Sequence, residues 1–364
     1  VGERGGVVKR RDLTLAGIDA GVPVTGPETV HVDLVNACNT NCITCWDHSP
    51  LLDTPRPAAW KGRRARTEDV ERLLDDLDEL GGLKNVILSG MGEPFLHPEI
   101  GEVIAAVKRR PLHLTIITNL LLADVKTVLD LGVDQLLVGV HAASREAYEA
   151  FHPSFRNGEW ETLLGKLRAF RDAGRRFKQV HVVCSVNAHE LPGMVALGAE
   201  MNAAAVTFKR ASLRGGTQSC GLDEVALRRL REEGVPRARE AAERLGVETN
   251  LGVLERQLAS PGDETTPVGD PGCFMGFAYA RVTVDGEVLY CCDPSIRVGS
   301  LADGTRFSEL WRGAAWQGLR HRVRAGESFP GCAQCGKYNQ NVALARAFER
   351  RHGTERLFEV TGRA

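Results

Sequence analysis

Residues 30–46, VHVDLVNACNTNCITCW, join a strand-like run to a loop that carries three thiols, Cys38, Cys42 and Cys45. The run VHVDLV alternates β-branched apolar with polar positions, the period of a strand whose two faces differ. The Asn-rich loop behind it favours turns. Three thiolates at C-x3-C-x2-C spacing can close around one metal centre. A structural zinc ordinarily takes four protein ligands, and His48 is the further donor close in sequence. The other arrangement is an iron–sulfur cluster in which three irons are tied to the chain and the fourth keeps a position for an exogenous ligand.

Outward from this stretch the pattern repeats. NVILSG (85–90), LHLTIITN (112–119), DQLLVGVH (134–141), QVHVVCSV (179–186) and AVTFKR (205–210) are further strand candidates, separated by amphipathic helical patterns. TEDVERLLDDLDELGG is the clearest of these. Glu68 and Asp69 suit the positive end of a helix dipole, and two glycines stop the helix. Alternating strand and helix is the signature of βα units around a parallel sheet, hence an α/β class. Whether such a sheet closes depends on tilt and stagger, which a sequence does not display.

After residue 210 the pattern changes. ASLRGGTQSCG reads as a loop, and LDEVALRRLREEGVPRAREAAERLG as a charged helix pair broken at Gly234-Val235-Pro236. ASPGDETTPVGDPG (259–272) reads as a linker, and RVTVDGEVLYCCD as a hairpin around Asp285-Gly286. NVALARAFERRHGTERLF reads as an Arg-rich C-terminal helix. The expected division is an N-terminal extension (1–29), a βα domain (30–212), a helical connector (213–258) and a cysteine-bearing module (259–364).

At 364 residues the chain can bury a core without covalent staples. A formal charge of −1, with both signs interspersed, gives no electrostatic footprint for nucleic acid. No apolar run reaches bilayer length, and VGERGGVVKRRDLTLAG lacks the apolar stretch of a secretory signal. The expected location is therefore cytoplasmic, where ten cysteines serve as metal ligands or redox groups rather than bridges.

The C-x3-C-x2-C loop after the first strand, with Gly90-Met91-Gly92-Glu93-Pro94 just past the second, resembles the radical SAM superfamily. The resemblance covers Val30 to about Arg210 and implies a partial (β/α)6 barrel. It implies a [4Fe-4S] cluster on Cys38, Cys42 and Cys45 whose open iron chelates S-adenosylmethionine, reductively cleaved to a 5′-deoxyadenosyl radical. Gly92, Glu93 and Pro94 match the family segment that binds the methionine amino group, where glycine admits close backbone approach and a carboxylate suits an ammonium. Thr44 stands where the family usually has an aromatic residue, and Trp46 follows instead. Val138-Gly139-Val140-His141 replaces the serine many relatives carry at the end of the fourth strand, leaving His141 as a candidate cofactor contact. Asn119, Asn187, Lys209 and Arg210 lie at strand ends where barrel enzymes place ligand contacts.

The C-terminal module supplies Cys273, Cys291, Cys292 and the CxxC pair Cys332 and Cys335. By ligand count four of these sulfurs suit zinc or a fully coordinated iron–sulfur cluster equally. The module resembles the SPASM domain and its shortened relative, the twitch domain. That implies a small auxiliary-cluster domain with a β-hairpin and a C-terminal helix, holding a second [4Fe-4S] cluster on Cys273, Cys291, Cys332 and Cys335, with Cys292 a packed spare. Cys184 and Cys220 remain as candidate catalytic thiols, able to return a hydrogen atom to a substrate radical, against the default of a buried small hydrophobe.

The resemblance implies dehydrogenation or epimerisation of a sugar or cyclitol, with maturation of a ribosomally made peptide as the alternative. Only about thirty residues precede the first strand, fewer than the peptide-recognition domain of many peptide-modifying relatives. The expected partners are a small-molecule or peptide substrate and a flavodoxin- or ferredoxin-type electron donor, with no nucleic acid and no membrane. Two readings of another kind stand beside this one: a zinc-stabilised binding protein, and an electron carrier without substrate chemistry.

Overall fold

The computed structural model describes residues 10–259 and 272–362. The stretch expected as a linker, apart from its ends Ala259 and Gly272, lies outside the described residues. All six expected strands form: β1 (Thr29–Asp33), β2 (Asn85–Ser89), β3 (His113–Thr118), β4 (Gln135–Gly139), β5 (Lys178–Val183) and β6 (Ala205–Arg210). They lie in sequence order and pair in parallel throughout.

Alternation along each strand decides what the sheet carries on its two faces. Val30 and Val32 of β1 are buried in the main core with Leu73, Leu74 and Leu77. Those leucines come from the helix Thr67–Leu80, whose Val70, Leu73, Leu74, Leu77 and Leu80 form one apolar stripe. Burying each such side chain contributes about 1.5–3 kcal/mol. Gly81, at φ 69°, ends that helix in a conformation a side chain resists.

β6 does not pair back to β1, so the sheet stays open. It nevertheless curves far enough to join its ends. Trp46 Nε1, on the cysteine loop after β1, donates to the carbonyl of Ser212 beyond β6 at 2.7 Å. Cys220 Sγ lies 3.6 Å from the carbonyl of Ile43. A curved, unclosed six-stranded parallel sheet is the partial barrel.

Three elements differ from the sequence reading. The C-terminal hairpin is no separate sheet: β7 (Tyr279–Val282) pairs in parallel with β1, and β8 (Glu287–Leu289) and β9 (Arg297–Ser300) continue antiparallel, giving a sheet of nine strands among the described residues. β9 has only four residues with a glycine inside, too little pattern to read. The charged helix pair is not broken at Pro236. Helical structure runs from Glu224 through a wide π-type turn, Leu230–Gly234, into Val235–Leu245. Proline offers no N–H to the preceding turn, and the wide π-type turn just before it is where a continuous helix absorbs that interruption. The C-terminal helix is in fact two, Tyr338–His352 and Thr354–Thr361, divided at Gly353 with φ 89°.

The N-terminal segment forms a helix, Arg10–Ala20. Its Leu15 and Ile18 enter a second core with Phe274, Phe277, Leu344 and Phe348. No helix among the described residues is long and apolar enough to cross a membrane.

Candidate active site

The three cysteines of the first loop lie at the carboxyl end of β1, where a parallel sheet exposes its connecting loops. Turn bonds set their spacing: Cys45 N donates to Cys42 O at 3.0 Å, and Asp47 N reaches Cys45 Sγ at 3.5 Å. Ile43, between them, donates its N–H to Phe151 O at 3.0 Å, which anchors the loop against the barrel. Burial pushes all three thiols up, Cys38 to about 12. Enclosed sulfurs that resist ionising alone are the kind a metal deprotonates on binding.

His48 is not a fourth ligand. Its Nε2 lies 2.9 Å from both Asn36 O and Met91 O, so that N–H is spent on two carbonyls. Trp46 turns toward the far end of the barrel, with the Arg214 guanidinium 3.6 Å over its ring.

The Gly-Met-Gly-Glu-Pro segment is zipped to the cysteine loop. Glu93 N donates to Ala37 O at 2.8 Å. A Cβ on Gly92 would stand 1.9 Å from that same carbonyl, so only glycine allows the approach. Pro94 opens a short 3-10 turn, Pro94–Leu96. Glu93 differs from its expected part. Its carboxylate accepts from Thr118 Oγ1 at 2.6 Å, Asn119 N at 2.8 Å and Phe95 N at 3.3 Å, and is only 3% exposed. Burial raises its pKa to about 7 against those hydrogen bonds. It braces the turn, leaving the main chain around Gly92 to face the first thiol nest.

Asn187 is a correction. Its Nδ2 donates to His141 O at 2.7 Å and Val182 O at 2.9 Å, while Oδ1 accepts from Cys184 N at 2.9 Å. The amide is consumed in tying the ends of β4 and β5 together and has nothing to offer a cofactor. His141 holds a left-handed backbone, φ 62°, stacks on Phe151 at 4.5 Å, and accepts from Val182 N through Nδ1 at 3.1 Å. Burial holds its pKa well below the usual value, so it is a neutral ring at the barrel mouth. Asn119 stays at the site through Nδ2, which donates to Asn39 Oδ1 in the cysteine loop at 2.7 Å.

Cys184 and Cys220 lie together in a small apolar cluster with Ile43, Phe151 and Ala211, against which Cys42 packs. A cavity of about 130 Å³ touches both. Burial raises both thiols, Cys184 to about 12, so both keep their proton.

Around the second set, Cys273 has Cys332 and Cys292 as electrostatic neighbours, and Cys291 and Cys335 each have Cys273 and Cys292. Main-chain amides point at its sulfurs: Asp293 N at 3.4 Å from Cys291 Sγ and Phe329 N at 3.3 Å from Cys332 Sγ. Buried Asn341 fastens both flanks of Cys273 to the last helices, accepting from Phe274 N at 2.8 Å and donating to Gly272 O at 2.5 Å. Cys292, read from the sequence as a packed spare, stands inside the nest, hydrogen-bonded with Cys291 and with Cys335.

The sequence reading also missed what joins the nests. Arg281 of β7 pairs with Asp33 of β1, lies 3.7 Å from Met91 Sδ and reaches Cys292 O at 3.4 Å. Lys337 Nζ sits 4.3 Å over the ring of Tyr279, and Lys209 faces Cys292 and Cys335. Strand alternation could have placed Arg281 and Asp33 on one face, but only the β1–β7 pairing makes them neighbours. No three or more Cys, His, Asp or Glu side chains among the described residues converge as one metal ion would require. Main-chain amides aimed at sulfur are the hydrogen bonds that tune a bound iron–sulfur cluster.

Comparison with known proteins agrees. The profile of the radical SAM superfamily matches residues 32–197, and that of an iron–sulfur cluster-binding domain, SPASM, matches residues 273–336. The PqqA peptide cyclase of Granulibacter bethesdensis is 25% identical over 311 residues, 80% of this chain and 77% of its own. The S-adenosyl-L-methionine-dependent tRNA 4-demethylwyosine synthase of Oryza sativa subsp. japonica is 26% identical over 182 residues, 44% of this chain and 27% of its own, so this chain spans about a quarter of that relative. Among solved structures, Streptococcus suis SuiB bound to precursor peptide SuiA superposes with a TM-score of 0.60 at 15% identity, covering 84% of this chain and 70% of that one. Native anSMEcpe with bound AdoMet and Cp18Cys peptide superposes with a TM-score of 0.61 at 15% identity, covering 92% and 99%. Identities this low show a shared fold. The first profile carries with it a [4Fe-4S] cluster and S-adenosylmethionine, the second an auxiliary iron–sulfur cluster, and the zinc reading of the two thiol sets falls. Residues 32–197 are a radical SAM domain and residues 273–336 a SPASM-type iron–sulfur cluster-binding domain, whose hairpin extends the sheet of the first.

Proposed function

We propose that this enzyme matures a ribosomally made peptide, abstracting hydrogen from a carbon of that peptide. One observation carries the reading: the alignment with a peptide cyclase runs over 80% of this chain and 77% of the relative. The relatives thereby favour a peptide over the sugar or cyclitol expected from the auxiliary-domain pattern alone.

The chain's own residues support a substrate lying inside the open barrel. Ile117 on β3 is 37% exposed between buried Ile116 and Thr118, so the inner face of the sheet is accessible there. Lys209, next to last in β6, faces the second nest. The bound cofactors supply a deoxyadenosyl radical for hydrogen abstraction and an auxiliary redox centre, with electrons from a flavodoxin- or ferredoxin-type donor. Gly92 and its neighbours position S-adenosylmethionine, while His141, neutral and stacked, closes the mouth beside it. Cys184 and Cys220, held protonated, are the groups able to return a hydrogen atom if the reaction is an epimerisation.

The test uses anaerobically reconstituted enzyme with S-adenosylmethionine, dithionite and precursor peptides encoded beside the gene. The expected result is deoxyadenosine formation above the peptide-free background and a peptide altered in mass, with label passing from deuterated peptide to deoxyadenosine. Background turnover with every such peptide, together with label transfer from a deuterated sugar or cyclitol, would overturn the reading.

A further inference from the structure

The auxiliary nest contains five thiols where a four-iron cluster with complete protein ligation takes four. Cys292 is hydrogen-bonded with Cys291 and Cys335, and it stands within electrostatic reach of Cys273 and Cys332 as well. Its Sγ packs against the residue after the CxxC pair, 3.8 Å from where a Cβ on Gly336 would be, an ordinary contact distance. Its carbonyl is held by Arg281 Nη1 at 3.4 Å, which fixes the turn at the end of the hairpin.

Charge points the same way. Lys209, from the end of β6, and Lys337, beside the CxxC pair, both face Cys292 and Cys335. Neither ammonium has a carboxylate partner among the described residues. Two ammoniums brought to the nest from separate elements suit the anionic cluster that its thiolates would hold.

We propose that Cys292 is an interchangeable ligand of the auxiliary cluster: Cys273, Cys332 and Cys335 are constant, and the fourth position passes between the adjacent Cys291 and Cys292. In the exchange one Fe–S bond forms as another breaks, and the incoming thiol's proton passes to the departing thiolate, so no electron is gained or lost. Lys337 and Lys209 compensate whichever sulfur is bound. This goes beyond the peptide reading and rests only on the SPASM assignment.

The experiment counts iron and sulfide in a Cys38→Ala/Cys42→Ala/Cys45→Ala background, where only auxiliary iron remains. Adding Cys291→Ala is expected to leave at least half of that iron, with an altered EPR signal in the reduced state, and adding Cys291→Ala with Cys292→Ala to remove nearly all of it. Separately, Cys292→Ala, which keeps the expected four ligands, is expected to release auxiliary iron to a chelator several times faster than its parent, because no second thiol can re-engage an opened position. The release rate decides the matter should Cys291→Ala fail to fold by circular dichroism. A folded Cys291→Ala variant without auxiliary iron, or a Cys292→Ala variant that releases iron at the parent rate, overturns the proposal.

Discussion

Arg281 grips Asp33 across the seam between β7 and β1, its Nε 3.0 and 3.1 Å from the two carboxylate oxygens and Nη2 2.9 Å from Oδ2. Asp33 is fully buried and Arg281 nearly so. Burial raises the Asp33 pKa while the guanidinium opposes that shift. Removing one partner of such a pair leaves a buried charge alone, which costs about 3–5 kcal/mol. Arg281→Met and Asp33→Leu are each expected to lower stability by that order in urea unfolding, and the double variant to lie closer to the parent than either. Strictly additive losses would show that the two residues act independently.

Gly92→Ala is expected to fold but to bind S-adenosylmethionine at least about tenfold more weakly, near 1.4 kcal/mol, because the Ala37 carbonyl must retreat from a contact of 1.9 Å. Gly101→Ala supplies the control. Its added methyl meets only Leu131 at 3.9 Å in a helix, where alanine is favoured. Equilibrium dialysis of reconstituted protein measures both, and equal affinities would remove Gly92 from the site.

Glu93 makes the metal-free protein sensitive to pH. Its folded pKa, about 7, lies above the ordinary 4.5, so its stabilising contribution is complete below pH 4.5 and is lost as pH rises through 7. The difference amounts to about 3 kcal/mol. Glu93→Gln is expected to flatten that part of the stability profile in chemical denaturation. An unchanged slope would place the titration on another group.

A thiol whose proton has exchanged in deuterated water carries deuterium. If either Cys184 or Cys220 quenches the substrate radical, turnover in deuterated water places deuterium at the reacting carbon. Cys184→Ala/Cys220→Ala is then expected to form deoxyadenosine while product falls more than about tenfold, since a positioned hydrogen donor is lost. Mass spectrometry reads both, and undiminished product without incorporated deuterium removes these thiols from the chemistry.

Much of this was legible along the chain. Alternation in VHVDLV and its five successors marks the parallel strands, because a side chain on a strand faces one of only two sides. The three cysteines of 38–45 needed no fold to be found, since their spacing alone lets the sulfurs meet. Asn187 went the other way. A strand-end asparagine looks the same in sequence whether its amide faces a ligand or, as here, the carbonyls of His141 and Val182.

Local spacing and periodicity therefore determined the βα repeat, the first thiol nest and the glycine that admits close approach to it. Tertiary structure alone decided that β7 would pair with β1, that Arg281 would meet Asp33, and that Cys292 would stand among the other thiols with Lys209 and Lys337 beside it. The physical reason is distance along the chain. Residues within one turn or strand share a geometry that the backbone fixes, whereas residues 248 positions apart meet only after the sheet has closed the gap between them.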